Sequence, residues 1–230
     1  MRLSLTGAAN TGKTSLLQSF LHTWKTYKTP EKTYRDIIEE KKLEHSSKTT
    51  TETQTEILNF ITDQQLGKTV DDDIIYDRCT LDVLAYTIWA HEKGLEGFDT
   101  AFVNTQIKLV KESMRSLDII FICKFNESMS VEDDGKRDAN KEYIVEINNI
   151  IESLYQQYKQ NIDSDIFFPK DDSPCLIKLP DSMQQRVDLI AEYVAPDGGM
   201  HSEEDSVLNP NNINELEQLL KQQTNAHESE

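Results

Sequence analysis

The sequence predicts a three-layer α/β fold: a mostly parallel sheet between helices, with a helical insertion and an acidic C-terminal tail. Three observations predict it. Short apolar runs at Arg2-Leu3-Ser4-Leu5-Thr6, Ile74-Ile75-Tyr76, Ile119 to Cys123 and Cys175 to Leu179 alternate with stretches of helical periodicity, the pattern of strand–helix units around a parallel sheet. A glycine loop, Gly7 to Gly12, lies between the first strand and the first helix. Beyond Pro196 the composition shifts to Asp, Glu, Asn, Gln and Ser, too few apolar residues to offset the entropy of ordering a packed segment.

The elements follow in order. Leu16, Leu17, Phe20, Leu21 and Trp24 give the first helix its apolar face. Residues 30 to 73 are polar and read as an insertion bearing two helices, the second marked by Ile57, Leu58, Ile61 and Leu66, with Ser46 to Thr53 as a mobile loop between them. Ile74 to Tyr76 is a strand ending in Asp77-Arg78, and Leu81, Leu84, Ala85, Ile88 and Trp89 return to helical spacing. A helix through Phe102 to Leu117 leads into Ile119 to Cys123, whose unbroken apolar run suits a central strand covered on both faces. After a polar stretch over residues 126 to 140, Tyr143, Ile147, Ile150, Ile151, Leu154 and Tyr158 describe one long amphipathic helix. Cys175 to Leu179 is the last strand and Val187, Leu189, Ile190 and Tyr193 belong to the last helix. The expected organisation is one domain over residues 1 to 195 and a tail over 196 to 230, in which Ile213, Leu216, Leu219 and Leu220 would form one short docking helix for a protein partner.

With 41 acidic against 24 basic side chains the formal charge of the 230-residue chain is −17. A field of that sign repels a nucleic-acid backbone, which counts against non-specific nucleic-acid binding and demands a local focus of N–H groups and cations for any anionic ligand. Cys79, Cys123 and Cys175 are far apart and have no paired cysteine or histidine cluster beside them, which reads as reduced thiols rather than zinc or disulfide chemistry. No stretch approaches the about 20 apolar residues of a membrane span, and the expectation is a soluble, cytoplasmic protein without membrane contact.

Gly7-Ala8-Ala9-Asn10-Thr11-Gly12-Lys13-Thr14 has the spacing of a phosphate-binding P-loop. Its glycines let the backbone wrap a phosphate, the N–H groups and helix N-terminus hold the charge, Lys13 reaches the β and γ oxygens, and Thr14 offers a hydroxyl to Mg²⁺. With Ser15, these residues predict a site for ATP and Mg²⁺. Asp77 and Arg78 stand at the carboxyl end of a buried strand, where doubly wound sheets bind ligands. Asp77 there would hold Mg²⁺ or take a proton from an attacking hydroxyl, and Arg78 would bind the acceptor or the transferred group; the plainer reading is a helix cap and a solvated arginine. Lys136-Arg137 lies in a charged loop that reads as a solvated surface or as a lid carrying a phosphate-stabilising guanidinium. Glu31 and Arg35, four apart, would line an acceptor pocket or make a surface helix pair. Tyr34, Tyr86 and Trp89 fit core packing better than base stacking. His91-Glu92 lacks the second histidine of a zinc protease helix.

Taken together, Gly7 to Thr14, Pro30-Glu31 with Arg35, Asp77-Arg78 with Leu81-Asp82 and Tyr86, and Asp134 to Arg137 resemble the AAA-type P-loop family that includes the nicotinamide riboside kinase domain of bacterial NAD-repressor proteins and, more distantly, deoxynucleoside and thymidylate kinases. The resemblance implies a P-loop NTPase fold over about residues 1 to 195 and ATP-dependent phosphoryl transfer to a small-molecule acceptor. It makes Lys13, Asp77, Arg78 and Arg137 catalytic, and Glu31 and Arg35, with Asp77 and Arg78, acceptor-binding. The rival readings are a P-loop ATPase switch acting through a protein partner, and a kinase acting on DNA.

Overall fold

Four parallel strands carry the fold: β1 (Arg2–Thr6), β2 (Ile74–Asp77), β3 (Ile119–Cys123) and β4 (Cys175–Leu179), side by side in the order β2-β1-β3-β4. The structure is a computed structural model and describes residues 1–67, 73–126, 140–160 and 174–200. In register, Leu5 stands opposite both Asp77 of β2 and Phe121 of β3. All strands therefore deliver their carboxyl ends to one edge, where a phosphate site forms in sheets of this kind.

The five residues of β3 are all buried, as its unbroken apolar run predicts. Its side chains alternate between two cores. Ile119, Phe121 and Cys123 join Leu3, Leu5 and Ile75 beneath α1 (Lys13–Thr23) and α7 (Met183–Ala191). Ile120 and Ile122 face the larger cluster built by α3 (Thr51–Leu66), α4 (Thr80–Glu92), α5 (Thr100–Met114) and α6 (Lys141–Gln160). Helices on both faces of a parallel sheet make the three layers expected. Among the described residues no helix is long and apolar enough to cross a membrane.

The insertion supplies α2 (Tyr34–Lys41) and α3. The stretch from Ser46 to Thr53, expected as a mobile loop, is instead a short 3₁₀ turn over Ser46–Lys48 followed directly by α3. Its hydroxyls do the ordering. Thr50 Oγ1 caps α3 by accepting from the Thr53 N–H, and Thr53 Oγ1 donates to the Glu44 carbonyl. The cap seats Ile57, Leu58 and Ile61 in the same core as α4, whereas Leu66 at the helix end is exposed.

A second difference lies at the C-terminus. Residues 196–200, expected as the start of the tail, fold back onto the chain that leaves α1: Trp24 Nε1 donates to the Ala195 carbonyl and Tyr27 Oη to the Gly198 carbonyl. Two buried aromatic donors need acceptors, and this turn provides them. The expected docking helix over Ile213 to Leu220 lies outside the described residues.

Candidate active site

The chain leaves β1 at Thr6 and must turn beneath the end of β3 before α1 begins at Lys13. Gly7, at φ +144°, makes this possible, because a Cβ there would stand 2.3 Å from the Cys123 carbonyl oxygen. Gly12 closes the loop in the left-handed region at φ +78° and caps α1. The first turn of α1 thus presents its free N–H groups and positive dipole end to the loop.

Lys13 is buried, and its ammonium donates to the Gly7 carbonyl at 2.7 Å, the Ala8 carbonyl at 2.5 Å and Thr11 Oγ1 at 3.1 Å. Burial, helped by the nearby charge of Arg78, lowers its pKa from 10.5 to about 7. A phosphate beside the ammonium favours the protonated form and raises that pKa again. The sign follows: a nucleoside triphosphate bound here at about pH 8.5 is expected to bring a proton with it, and its affinity is expected to fall by up to about tenfold per pH unit above about pH 7. Calorimetry at pH 8.5 in two buffers of different ionisation enthalpy reads the count; no proton uptake would contradict this assignment.

The other half of the site is the exit of β2. Arg78 adopts φ +90°, a conformation a bulky residue keeps only where surrounding contacts hold it. Those contacts are present. Its Nη1 donates to Asp82 Oδ1 at 2.7 Å and to the Gly7 carbonyl at 3.1 Å, and the guanidinium lies 5.1 Å from the ring centre of Tyr34 and 5.6 Å from that of Tyr86. Asp82 is a four-way junction: it also accepts from Thr6 Oγ1, the Gly7 N–H and the Cys79 N–H. One carboxylate therefore fixes the end of β1, the start of the loop and the turn that aims Arg78.

Asp77 is half-buried at the end of β2 and forms no side-chain hydrogen bond among the described residues. Its charge lies close enough to Lys13 to raise the lysine's pKa, opposing the effect of burial. Burial pushes the Cys79 thiol up to about 12 and raises that of Cys123, so both stay protonated, in keeping with reduced, unreactive cysteines.

Between the loop and the insertion opens a cavity of about 310 Å³, at the lower end of the range for small-molecule sites. Residues 9 to 15 form one end, so Thr14, Ser15 and Lys13 face it together with Arg35, Arg78 and Asp82. Its body is apolar and aromatic, lined by Tyr34, Ile57, Ile61, Val83, Tyr86 and Tyr143. Gln54 adds a fixed amide: its Nε2 donates to Thr49 Oγ1 at 2.8 Å. Glu31 is exposed and stands off the cavity wall, and Asp77 is not on the wall either. Arg137 lies outside the described residues. Trp89 packs edge-on against Tyr143 and donates to Glu146, away from the cavity, whereas Tyr34 and Tyr86 line it.

The sequence profile of the family described as AAA domain matches residues 2–163. The chain belongs to this AAA domain family. No curated protein matches the sequence. Among solved structures the AAA domain fold is similar to deoxyadenosine kinase from M. mycoides with bound dATP, at 18% identity and a TM-score of 0.59 over 83% of this chain and 96% of that one. It is also similar to the NadR protein in complex with NR, at 12% identity and a TM-score of 0.59 over 84% of this chain and 51% of that one. Thymidylate kinase from Candida albicans matches at 11% identity and a TM-score of 0.52, over 83% and 89% of the two chains. These likenesses cover 83–84% of this chain and show a fold shared with P-loop kinases.

Proposed function

We propose that the protein is a magnesium-dependent kinase that moves the γ-phosphoryl group of ATP onto a hydroxyl of a nucleoside, nucleotide or related ribosyl compound. One observation carries the reading: the phosphate loop and an aromatic-lined cavity of about 310 Å³ share a continuous wall, so a donor phosphate and a ring-bearing acceptor meet in one enclosure. A nucleotide switch requires no such second compartment. The fold shared with deoxyadenosine and thymidylate kinases supports the same reading.

In this reading the N–H groups of residues 10 to 14 and Lys13 hold the triphosphate, while Arg78, aimed by Asp82, holds the phosphoryl group in flight. Tyr86, Tyr34 and the apolar wall seat the acceptor ring, and Gln54 and Arg35 supply its polar contacts. The acceptor oxygen attacks the γ-phosphorus, the bond to the β–γ bridging oxygen breaks, ADP departs and the hydroxyl proton passes through water to Asp77, which stands off the cavity wall at the end of β2. Thr14 and Asp77 are hard oxygen donors of the kind Mg²⁺ takes, few in number and completed by substrate phosphates and water. When bound, Mg²⁺ neutralises charge on the β and γ oxygens.

The test is ATP consumption with Mg²⁺ in the presence and absence of nucleosides, deoxynucleoside monophosphates and nicotinamide riboside, with products identified by mass. A stimulating acceptor that gains a phosphate is the expected result; hydrolysis that no acceptor stimulates would sink the kinase reading. Asp77→Asn is expected to lower kcat by about 10²- to 10⁴-fold, the range for a general base, with ATP affinity kept within a few-fold. Wild-type turnover in that variant would remove Asp77 from the chemistry.

A further inference from the structure

Arg186 is the largest fully buried side chain among the described residues, at 1% exposure, and it belongs to α7 rather than to any motif of the site. Its Nε donates to the Pro180 carbonyl at 2.7 Å and its Nη1 to the Thr11 carbonyl, inside the phosphate loop, at 2.6 Å. Nη2 is buried without a partner, and no carboxylate pairs with the guanidinium among the described residues. Its neighbour across the loop is Gly12, where a Cβ would stand 3.3 Å from Nη1. A buried cation with no anion is expensive, and on its own side of the loop the described residues offer it only the Pro180 carbonyl.

The compensation lies across one peptide plane. In a trans peptide the C=O of Thr11 and the N–H of Gly12 point in opposite directions. The carbonyl faces Arg186, so the N–H faces away from it, and both residues line the cavity. A cationic donor on the carbonyl polarises the peptide and makes the N–H on the far side a stronger donor, since hydrogen bonds in series reinforce each other in a low-dielectric setting. We infer that Arg186 is a positioning residue of the phosphate loop, tightening its hold on a nucleoside triphosphate from behind through the Thr11–Gly12 peptide. The inference rests on the loop being the triphosphate site of the reading above. It also ties α7 to the triphosphate site through Arg186, and ties the loop after β4 to the same side chain at Pro180.

The test is equilibrium binding of Mg·ATP and of inorganic triphosphate to the wild type, Arg186→Gln and Arg186→Lys, with thermal midpoints measured without ligand. Arg186→Gln is expected to weaken both ligands by the same factor, about tenfold to a hundredfold, the size of a hydrogen bond to a charged group. Its unliganded midpoint is expected to equal or exceed that of the wild type, because an uncompensated charge has been removed. Arg186→Lys, which keeps the charge, is expected to bind both ligands within a few-fold of wild type. Wild-type affinity in Arg186→Gln, or a loss matched by a lower unliganded midpoint, would overturn the inference while leaving the phosphate loop in place. Should the glutamine variant not fold, a hundredfold loss in Arg186→Lys overturns it as well. A wild type that binds neither ligand overturns both this inference and the kinase reading.

Discussion

Lys13→Ala is expected to abolish measurable turnover, lowering kcat/KM by about 10³-fold or more. The side chain is buried and holds three acceptors of the loop, the Gly7 and Ala8 carbonyls and Thr11 Oγ1. Among the described residues the same ammonium is the one lysine cation on the cavity wall beside the loop's N–H groups. On the kinase reading, its loss would remove charge stabilisation where the transferred group develops negative charge. Steady-state kinetics with Lys13→Ala and Lys13→Arg separate two causes. Arginine restores the charge but is too long and planar for three converging acceptors, so it is expected to recover binding more than turnover. Turnover within tenfold of wild type in the alanine variant would refute the assignment of Lys13 to the γ-phosphoryl group.

The buried charges explain how a chain of net charge −17 holds a polyanion. Among the described residues Lys13, Arg78 and Arg186 are buried against a single buried carboxylate, Asp82. With Lys13 protonated, as a neighbouring phosphate favours, the excess is two positive charges at the carboxyl edge of the sheet, within or directly behind the loop. Low local dielectric amplifies those charges, whereas the acidic surface acts through solvent and is screened over about 10 Å. The net charge therefore governs what approaches the protein, and the buried cations govern what stays.

What was legible in the sequence follows the range of the interactions involved. The phosphate loop was readable because its parts are contiguous: glycines, lysine and helix start lie within eight residues, Gly7 to Thr14. The strands were readable because burial on both faces leaves an unbroken apolar run in β3. Asp82 escaped as a site residue because its partners Thr6 and Gly7 lie 76 and 75 residues away. The local signal was only an acidic residue three positions into a helix, which reads as a cap. It is that cap as well, since it accepts from the Cys79 N–H. Arg186 bonds across 175 residues, and nothing near it in sequence marks a buried arginine. Tyr34 and Tyr86 read as packing because periodicity tells which face of a helix is apolar but not whether that face meets a core or a cavity; they flank Arg78 at the cavity wall.

Asp82→Ala is expected to be the most destabilising single change at the site. Four buried donors lose their acceptor together: Thr6 Oγ1, the Gly7 N–H, the Cys79 N–H and Arg78 Nη1. The guanidinium of Arg78 is then a buried charge without its partner, a loss of about 3–5 kcal/mol by comparison with other broken buried pairs. Urea unfolding reads this as a lower midpoint at an unchanged slope. The pairing makes a sharper prediction than the single variant. Arg78→Met costs less in the Asp82→Ala background than in the wild type, because it then removes an orphaned charge instead of breaking an ion pair. Equal costs in the two backgrounds, or a midpoint for Asp82→Ala close to wild type, would mean that the carboxylate does not hold Arg78. In the surviving folded fraction ATP affinity should fall as well, since the same side chain anchors the Gly7 N–H and with it the first residue of the phosphate loop.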